Sequence, residues 1–386
     1  MNPEYLEYAA TERQKECVEA LIEHGTYAQA ADALGINVRT LERTVGRVKQ
    51  QAARKGFCPE NDFTKPTAPG FALKRVSTHY DDEGSVNNQW VIQEPDKQRQ
   101  WELAQQVLKD MAKELPQVDP RPAPKVDNEQ LMSVYPMGDP HVGLYSYAAE
   151  TGADFDLKIA ERDLCEAMKY LVQQSPPSKR GVIINLGDFF HVDNYAGKTE
   201  RGGNILDVDS RLPKVYDVGM SALRQTIDSA LEQHEIVEVM CVPGNHDDSL
   251  SMALAIGLKH IYEKEPRIVI HGGEGSRYYV QHGKVLIGAV HGDKTKDRDL
   301  PGIMAAERPE QWGQTKHRYF YRGHYHHDEK MEYNGCTVEQ FRTLAAGDAY
   351  AVGHGYLSGR DMKLIVHHAE YGEVSRSTCS IDMLRS

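Results

Sequence analysis

The chain has 386 residues, 40% of them hydrophobic and 26% charged, with a formal net charge of −12. That length accommodates two or three domains with separate cores, and the acidity excludes a protein coated in basic surface for nucleic acid. No run approaches the roughly 20 apolar residues of a membrane helix. The acidic start, Met1-Asn-Pro-Glu-Tyr-Leu-Glu, lacks an apolar secretory core, so a cytoplasmic protein without a membrane partner is expected. Six scattered cysteines with no Cys-x-x-Cys pair offer neither a disulfide framework nor a thiolate zinc site.

In chain order, Thr11 to His24 reads as a helix with Cys17, Val18, Leu21 and Ile22 on one face, ended by Gly25. A short helix runs from Thr26 through Leu34, Gly35-Ile36-Asn37 forms a turn, and a third helix runs from Val38 into the Arg54 region. Between Val38 and Gly56, six basic side chains face one acidic one, Glu42. The spacing Ala31, Gly35, Leu41 resembles the helix-turn-helix families: a small residue for close approach, a glycine for the turn, an apolar residue to close the core. The resemblance implies DNA as a partner, with the second helix of the unit presenting Asn37, Arg39, Thr40, Arg43 and Arg47 to the major groove. A plain three-helix packing module with a solvated basic face is the alternative.

Phe57 to Gly70, rich in Pro and polar residues, reads as a linker. Ala72 to Tyr80 and Gln89 to Gln93 flank Asp81-Asp-Glu-Gly84 as a β-hairpin, either a wing along DNA or an ordinary packing element. Lys97 to Leu115 reads as a helix, and Pro116 to Pro124 as a second linker. From Leu131 onward, buried strands at 133–137, 181–186, 236–242 and 285–290 alternate with helices at 159–174 and 215–234. This alternation predicts an α/β layered domain with ligands at strand ends. The expected division is 1–56 helical DNA-binding domain, 57–130 linker with hairpin and helix, and 131–386 α/β domain.

Five short motifs punctuate that last region: Asp139-Pro-His141, Gly187-Asp188-Phe-Phe-His191, Gly244-Asn245-His246-Asp247, His291-Gly292 and Gly323-His324-Tyr-His326. Four of them follow apolar or β-branched stretches, so each can sit just past a strand. Their oxygen and imidazole donors suit borderline first-row metals.

In order and placement the five motifs resemble the calcineurin-like metallophosphoesterase superfamily, over about residues 131 to 386. The resemblance implies a layered β-sandwich flanked by helices and a centre of two divalent ions. One ion would be held by Asp139, His141, Asp188 and His326, and the other by Asp188, Asn245, His291 and His324, with Asp188 bridging. A shared carboxylate lets two cations sit about 3.5–4 Å apart, and a water between them becomes acidic enough to attack phosphorus in line. His246 would contact the phosphate and protonate the leaving oxygen, with Asp247 orienting its imidazole. Manganese is the family expectation for nucleases, while iron, zinc or magnesium fits the same donors.

A histidine three residues after the bridging Asp188 resembles the nuclease branch typified by the nuclease subunit of the SbcCD complex. On that likeness His191 would bind the scissile phosphate or help stabilise its transition state. The stretch through Phe341-Arg-Thr-Leu-Ala, Gly359-Arg-Asp-Met-Lys and Tyr371-Gly-Glu-Val is similar to phage-encoded phosphoesterases labelled DNA-repair exonucleases. It implies a phage or prophage origin, and then the host cytoplasm. The chain departs from the SbcCD pattern in the short stretch after His326 and in a long, basic, Gly-rich segment around Lys198 to Asn204 and Arg211, which leaves an ATPase partner open, as it does a homo-oligomer. Arg322 and Arg342 are candidates for phosphate contact or for ion pairs. His327, His354, His367 and His368 read as packing or surface residues.

The leading expectation is thus a metal-dependent DNA nuclease, exo- or endonucleolytic. A phosphodiesterase or phosphatase acting on small or cyclic nucleotides or phosphoproteins is the second, and a non-catalytic DNA-binding regulator the third.

Overall fold

The computed structural model describes residues 1–386 except 62, 64–66, 68–70, 82–85, 97–105, 107–109, 111, 112, 114, 127, 200–202, 204 and 386. Two compact units divide the chain, Met1–Val107 and Leu108–Ser386.

In the first unit, each helix begins at a side chain suited to capping it. Thr11 accepts from the Gln14 N–H to start α1 (Glu12–His24), Thr26 from Gln29 to start α2 (Tyr27–Ala33), and Asn37 from Arg39 to start α3 (Val38–Arg54). Gly25 ends α1 in the left-handed region at φ 74°. Ala30, Ala31, Leu41 and Val45 join Cys17 and Leu21 in one core cluster, so the small-residue contact expected at Ala31 forms. Two features differ from the sequence expectation. Pro3–Tyr8 is a 3₁₀ turn that buries Tyr5 against Val18, Val48 and Ala52, and Phe57 packs in that same cluster. The segment read as a linker therefore begins inside a core, because two aromatics outweigh its polar composition.

Strands β1 (Phe71–Tyr80) and β2 (Val86–Pro95) pair antiparallel as the expected hairpin. Its turn residues 82–84, and nearly all of the helix expected over 97–115, lie outside the described residues.

The second unit stacks two sheets. One is six-stranded: β3 (Asn128–Met137), β4 (Ser178–Asn185), β5 (Ile236–Cys241) and β6 (Ile268–His271) run parallel, and β12 (Asp361–His368) and β13 (Gly372–Ser380) add antiparallel beside β3. The other has β8 (Val285–Val290) parallel to β9 (His317–Arg322), which is parallel to β11 (Cys336–Gln340); β7 (Tyr278–His282) and β10 (Glu329–Tyr333) form the edges.

The period of two along a strand sorts side chains between layers. On β3, Met132 and Val134 enter the core between the sheets, whereas Tyr135 and Met137 face the helical layer. On β8, Val285 and Ile287 point inward while Leu286 and Val290 pack against Leu300 and Met304. Helices α4 (Leu157–Gln174), α5 (Leu212–Gln233) and α6 (Asp248–Ile261) contribute Leu164, Met168, Leu223, Ile227 and Leu254 to the helical layer. The Pro-rich segment after Pro116 runs along α6, where the Val118 N–H donates to the Ile261 carbonyl. The result is the expected α/β layered sandwich, and its parallel strands β3, β4, β5, β8 and β9 deliver all five motifs at their C-terminal ends.

Candidate metal centre

Among the described residues, the only non-glycine positions with positive φ are Asp139 (40°), His141 (44°), Asp188 (48°), His324 (78°) and His326 (57°). Such conformations are costly for residues with a Cβ, and they persist where the surroundings over-determine them. Here every one belongs to a motif at a strand end. Strain this localised marks side chains aimed at a common point.

The aim is visible in the distances. The Asp188 carboxylate spans the site: Oδ1 accepts the His246 N–H (2.8 Å) and Oδ2 lies 3.1 Å from His291 Nε2. Asp139 Oδ2 accepts the His324 N–H (2.6 Å) and lies 3.3 Å from His326 Nε2. His141 Nε2 and His326 Nε2 are 3.1 Å apart, and Asn245 Oδ1 is 3.0 Å from His291 Nε2. The His324 ring lies 5.0 Å from that of His291, so all seven side chains expected to be ligands are drawn together. His291 Nδ1 faces the Leu186 carbonyl at 2.9 Å; a carbonyl only accepts, so Nδ1 carries the proton and Nε2 is left for the centre.

Glycines make the close approach feasible. A Cβ on Gly244 would collide with the Asp188 carboxylate, and one on Gly323 with the Asp139 carboxylate. The Gly-Asn-His-Asp and Gly-His-Tyr-His motifs thus begin with glycine because a carboxylate occupies the space a side chain would need.

Burial governs the protonation states. Burial disfavours charge on both His291 and Asp188, yet their mutual attraction outweighs it. The His291 pKa rises to about 10, and Asp188 is held well below the usual carboxylate range. Asp139 and Asp247 are pushed up by burial, Asp247 also by the Asp188 charge. Burial pulls His191 down to about 3 and His324 and His326 down to about 4, and lowers His141 well below its ordinary value. Neutral imidazoles are the form that binds metal, so His291 gives up its Nε2 proton where an ion takes that proton's place beside Asp188.

His191 and His246 stand closer to this cluster than residues acting only on substrate would require. His191 Nδ1 is 3.2 Å from His141 Nδ1, its ring stacks on His246 at 5.5 Å, and one nitrogen from each of His141, His191 and His246 falls within a 4.8 Å group. A second such group joins Asp188, His291 and His324. His191 is buried.

Asp247 is placed differently from the sequence expectation. Its carboxylate accepts the Gly244 N–H (3.0 Å) and the Phe190 N–H (3.1 Å), whereas His246 Nδ1 faces the His191 carbonyl (2.9 Å). Asp247 therefore ties two motif loops together, and a main-chain oxygen orients the imidazole. Backbone amides outcompete the adjacent ring because the chain turns into α6 at this residue.

Sequence reasoning missed two supports. Thr343 Oγ1 donates to the Asp139 carbonyl (2.6 Å). Asp193 accepts the Ser249 and Leu250 N–H groups (2.8 Å each) at the start of α6. Burial raises its pKa to about 6, although those N–H groups oppose the shift. An Asp carries no sequence signal for capping a helix when that helix starts some fifty residues away. Arg322 and Arg342 both take the ion-pair alternative, with Asp297 and with Asp361 (2.8 Å). Of the Lys198–Asn204 segment, residues 200–202 and 204 lie outside the described residues. Arg39, Thr40, Arg43 and Arg47 all lie on the exposed face of α3, opposite Leu41, Val45 and Val48.

The donors fit a divalent cation. Asp139 Oδ1 and His191 Nε2 are buried and make no hydrogen bond, and both ring nitrogens of His141 meet other imidazoles, Nδ1 at 3.2 Å from His191 and Nε2 at 3.1 Å from His326. Carboxylate, amide and imidazole together match first-row divalent ions.

A two-sheet α/β sandwich with strand-end Asp, Asn and His side chains converging on one point defines a metal-dependent phosphoester-cleaving class of protein. The chain belongs to the calcineurin-like phosphoesterase family, whose model matches residues 132–356. No curated protein sequence matches it. Among solved structures, it is similar to Vps29 complexed with zinc from Entamoeba histolytica, at 13% identity over 64% of this chain and 99% of that one, with a TM-score of 0.28. A predicted phosphoesterase from Streptococcus pneumoniae matches at 9% identity over 65% of this chain and 98% of that one, TM-score 0.28. A Thermotoga maritima protein solved by NMR matches at 14% over 65% and 99%, TM-score 0.28. No helix among the described residues is long and apolar enough to cross a membrane.

Proposed function

We propose that this phosphoesterase is a DNA nuclease of phage type with a binuclear centre, resembling the nuclease branch of its family. Asp139, His141, Asp188 and His326 hold one divalent ion, and Asp188, Asn245, His291 and His324 the other, with manganese the favoured occupant. The observation that carries this reading is the convergence of all seven donors, five of them on strained backbone. When bound, the ions supply Lewis acidity to the phosphate and to the attacking water.

The chain's own residues do the rest. The His191 carbonyl fixes the proton of His246 on Nδ1, so Nε2 is the nitrogen that can carry a second proton to the leaving oxygen. A phosphodiester leaves as a poorly stabilised alkoxide, and an acid at that atom is what its cleavage needs. Asp247 holds the loop bearing His246 against the loop bearing Phe190. Buried Phe189 and Phe190 anchor the stretch between Asp188 and His191 in the helical-layer core. His191, wedged between His141 and His246, is positioned to join the centre or to meet a phosphate oxygen.

For targeting, residues 1–56 act as a helix-turn-helix module, with exposed Arg39, Thr40, Arg43 and Arg47 on α3 facing DNA. Residues 57–130 connect it to the catalytic domain at 131–386. The basic stripe on an otherwise acidic chain supports this division.

A cleavage assay on end-labelled linear and closed-circular DNA with manganese tests the reading, with Asp188→Asn as control. Metal-dependent loss of label or relaxation of the circle is expected, absent in the variant. Intact DNA alongside turnover of cyclic dinucleotides would overturn the nuclease reading and favour a small-nucleotide phosphodiesterase.

A further inference from the structure

Beside the metal centre, a cavity of about 480 Å³ opens from Gly292, the residue after His291, to Tyr325, the residue between His324 and His326. It shares its wall with the centre, yet no motif residue expected to bind metal lines it. Its size falls in the roughly 300–1,000 Å³ range of small-molecule sites.

The floor is fixed. Buried Arg322 donates to Asp297 and to the Gly292 carbonyl (3.1 Å), and its guanidinium sits 4.9 Å from the Tyr325 ring centroid. Asp297 is thereby spent on Arg322. His327 stacks offset on Tyr325 at 6.1 Å, yet 57% of Tyr325 stays exposed, and half-buried Tyr333 forms the far wall.

The rim is basic on one strip of chain. Along 293–298 the exposed side chains are Lys294, Lys296 and Arg298, alternating with more buried Asp293, Thr295 and Asp297. This alternation turns Lys294 and Lys296 outward and leaves Asp293 and Asp297 lower down, while Arg298 pairs with exposed Asp299 (3.7 Å). An aromatic surface with cations beside it is how proteins hold a base and its backbone phosphate together.

We infer that this cavity seats the nucleoside next to the scissile phosphate, its base against Tyr325 and its distal phosphate between Lys294 and Lys296. The inference rests on the nucleic-acid reading above and names which part of the substrate lies on the His291–His324 side. It also gives the site a reason to prefer nucleotides over simpler phosphoesters, since a base supplies area that a bare phosphate lacks.

The test is calorimetric titration of the full-length, manganese-loaded chain with thymidine 3′,5′-bisphosphate and with inorganic phosphate. The nucleotide is expected to bind about ten-fold more tightly than phosphate. Tyr325→Leu and the double variant Lys294→Ala, Lys296→Ala are each expected to lose most of that advantage while still binding phosphate, which reports an intact centre. Equal affinity for the two ligands in the parent chain, or an undiminished preference in either variant, overturns the inference. Nucleotide preference without DNA cleavage would instead sink the nuclease reading and spare the cavity. DNA cleavage without nucleotide preference would do the reverse.

Discussion

Two buried polar clusters, one around the single histidine His234 and one of several histidines, occupy different ends of the catalytic unit's strands, and they are built on opposite terms. His234, just before β5, has both ring nitrogens engaged: Nδ1 with the Ser178 carbonyl (2.8 Å), Nε2 with the Tyr135 hydroxyl (2.7 Å). Ser133 extends the network to Ser175 and Ser178 at 2.8 Å each. None of these residues has positive φ. At the C-terminal ends of the strands, His141 meets His191 and His326 nitrogen to nitrogen, Asp139 Oδ1 makes no hydrogen bond, and the backbone is strained. Burial alone does not distinguish a functional histidine from a packing one. A carboxylate oxygen left without a donor and imidazoles paired only with one another, on costly backbone, do, because folding gains little from them.

The contrast can be broken most directly at Asp188. Asp188→Asn should cut metal-dependent phosphoester hydrolysis by about 10³-fold or more, because the carboxylate serves both halves of the site. Circular dichroism should show an unchanged fold, and a variant that hydrolyses normally would refute the assigned centre.

His246→Gln should lower kcat by about 10²–10⁴-fold on a dinucleotide, whose leaving alkoxide needs a proton, and far less on bis(p-nitrophenyl) phosphate, whose leaving group does not. Equal losses on both substrates would deny His246 the role of acid.

His234→Ala should do the reverse, costing about 2–4 kcal/mol in urea unfolding through its cavity and the orphaned Tyr135 hydroxyl, with kcat per folded molecule preserved. The same residue makes stability depend on pH. Burial depresses its folded pKa to about 4, although the Ser178 carbonyl opposes the shift. Its contribution is therefore complete above about pH 6.5 and is lost as pH falls toward 4, roughly 3 kcal/mol in all. Parent and variant should converge in stability as acid is added; parallel curves would remove His234 from the account.

The smallest effect belongs to α3. Replacing Arg39, Arg43 and Arg47 with Ala should weaken retention of duplex DNA and flatten the salt dependence by about 0.9 in log–log slope for each phosphate left without its cation. Hydrolysis of bis(p-nitrophenyl) phosphate should not change. Unaltered retention would reduce the N-terminal unit to a packing module.

Much of this molecule is decided within short stretches of chain. Thr11, Thr26 and Asn37 start their helices with side-chain bonds spanning two or three residues, and the period-two pattern of β8 sorts its side chains without outside help. The metal motifs are equally local, since a strand end, a glycine and a polar donor are adjacent in sequence. What those donors face is not. That Asp247 grips the Phe190 amide, that Thr343 braces Asp139, that Tyr5 is buried beside Phe57 and that Arg322 turns to Asp297 each join residues 25 to more than 200 positions apart. Such pairings follow from how the layers close on one another. No periodicity encodes them, because the free energy that selects each partner exists only once both are removed from water.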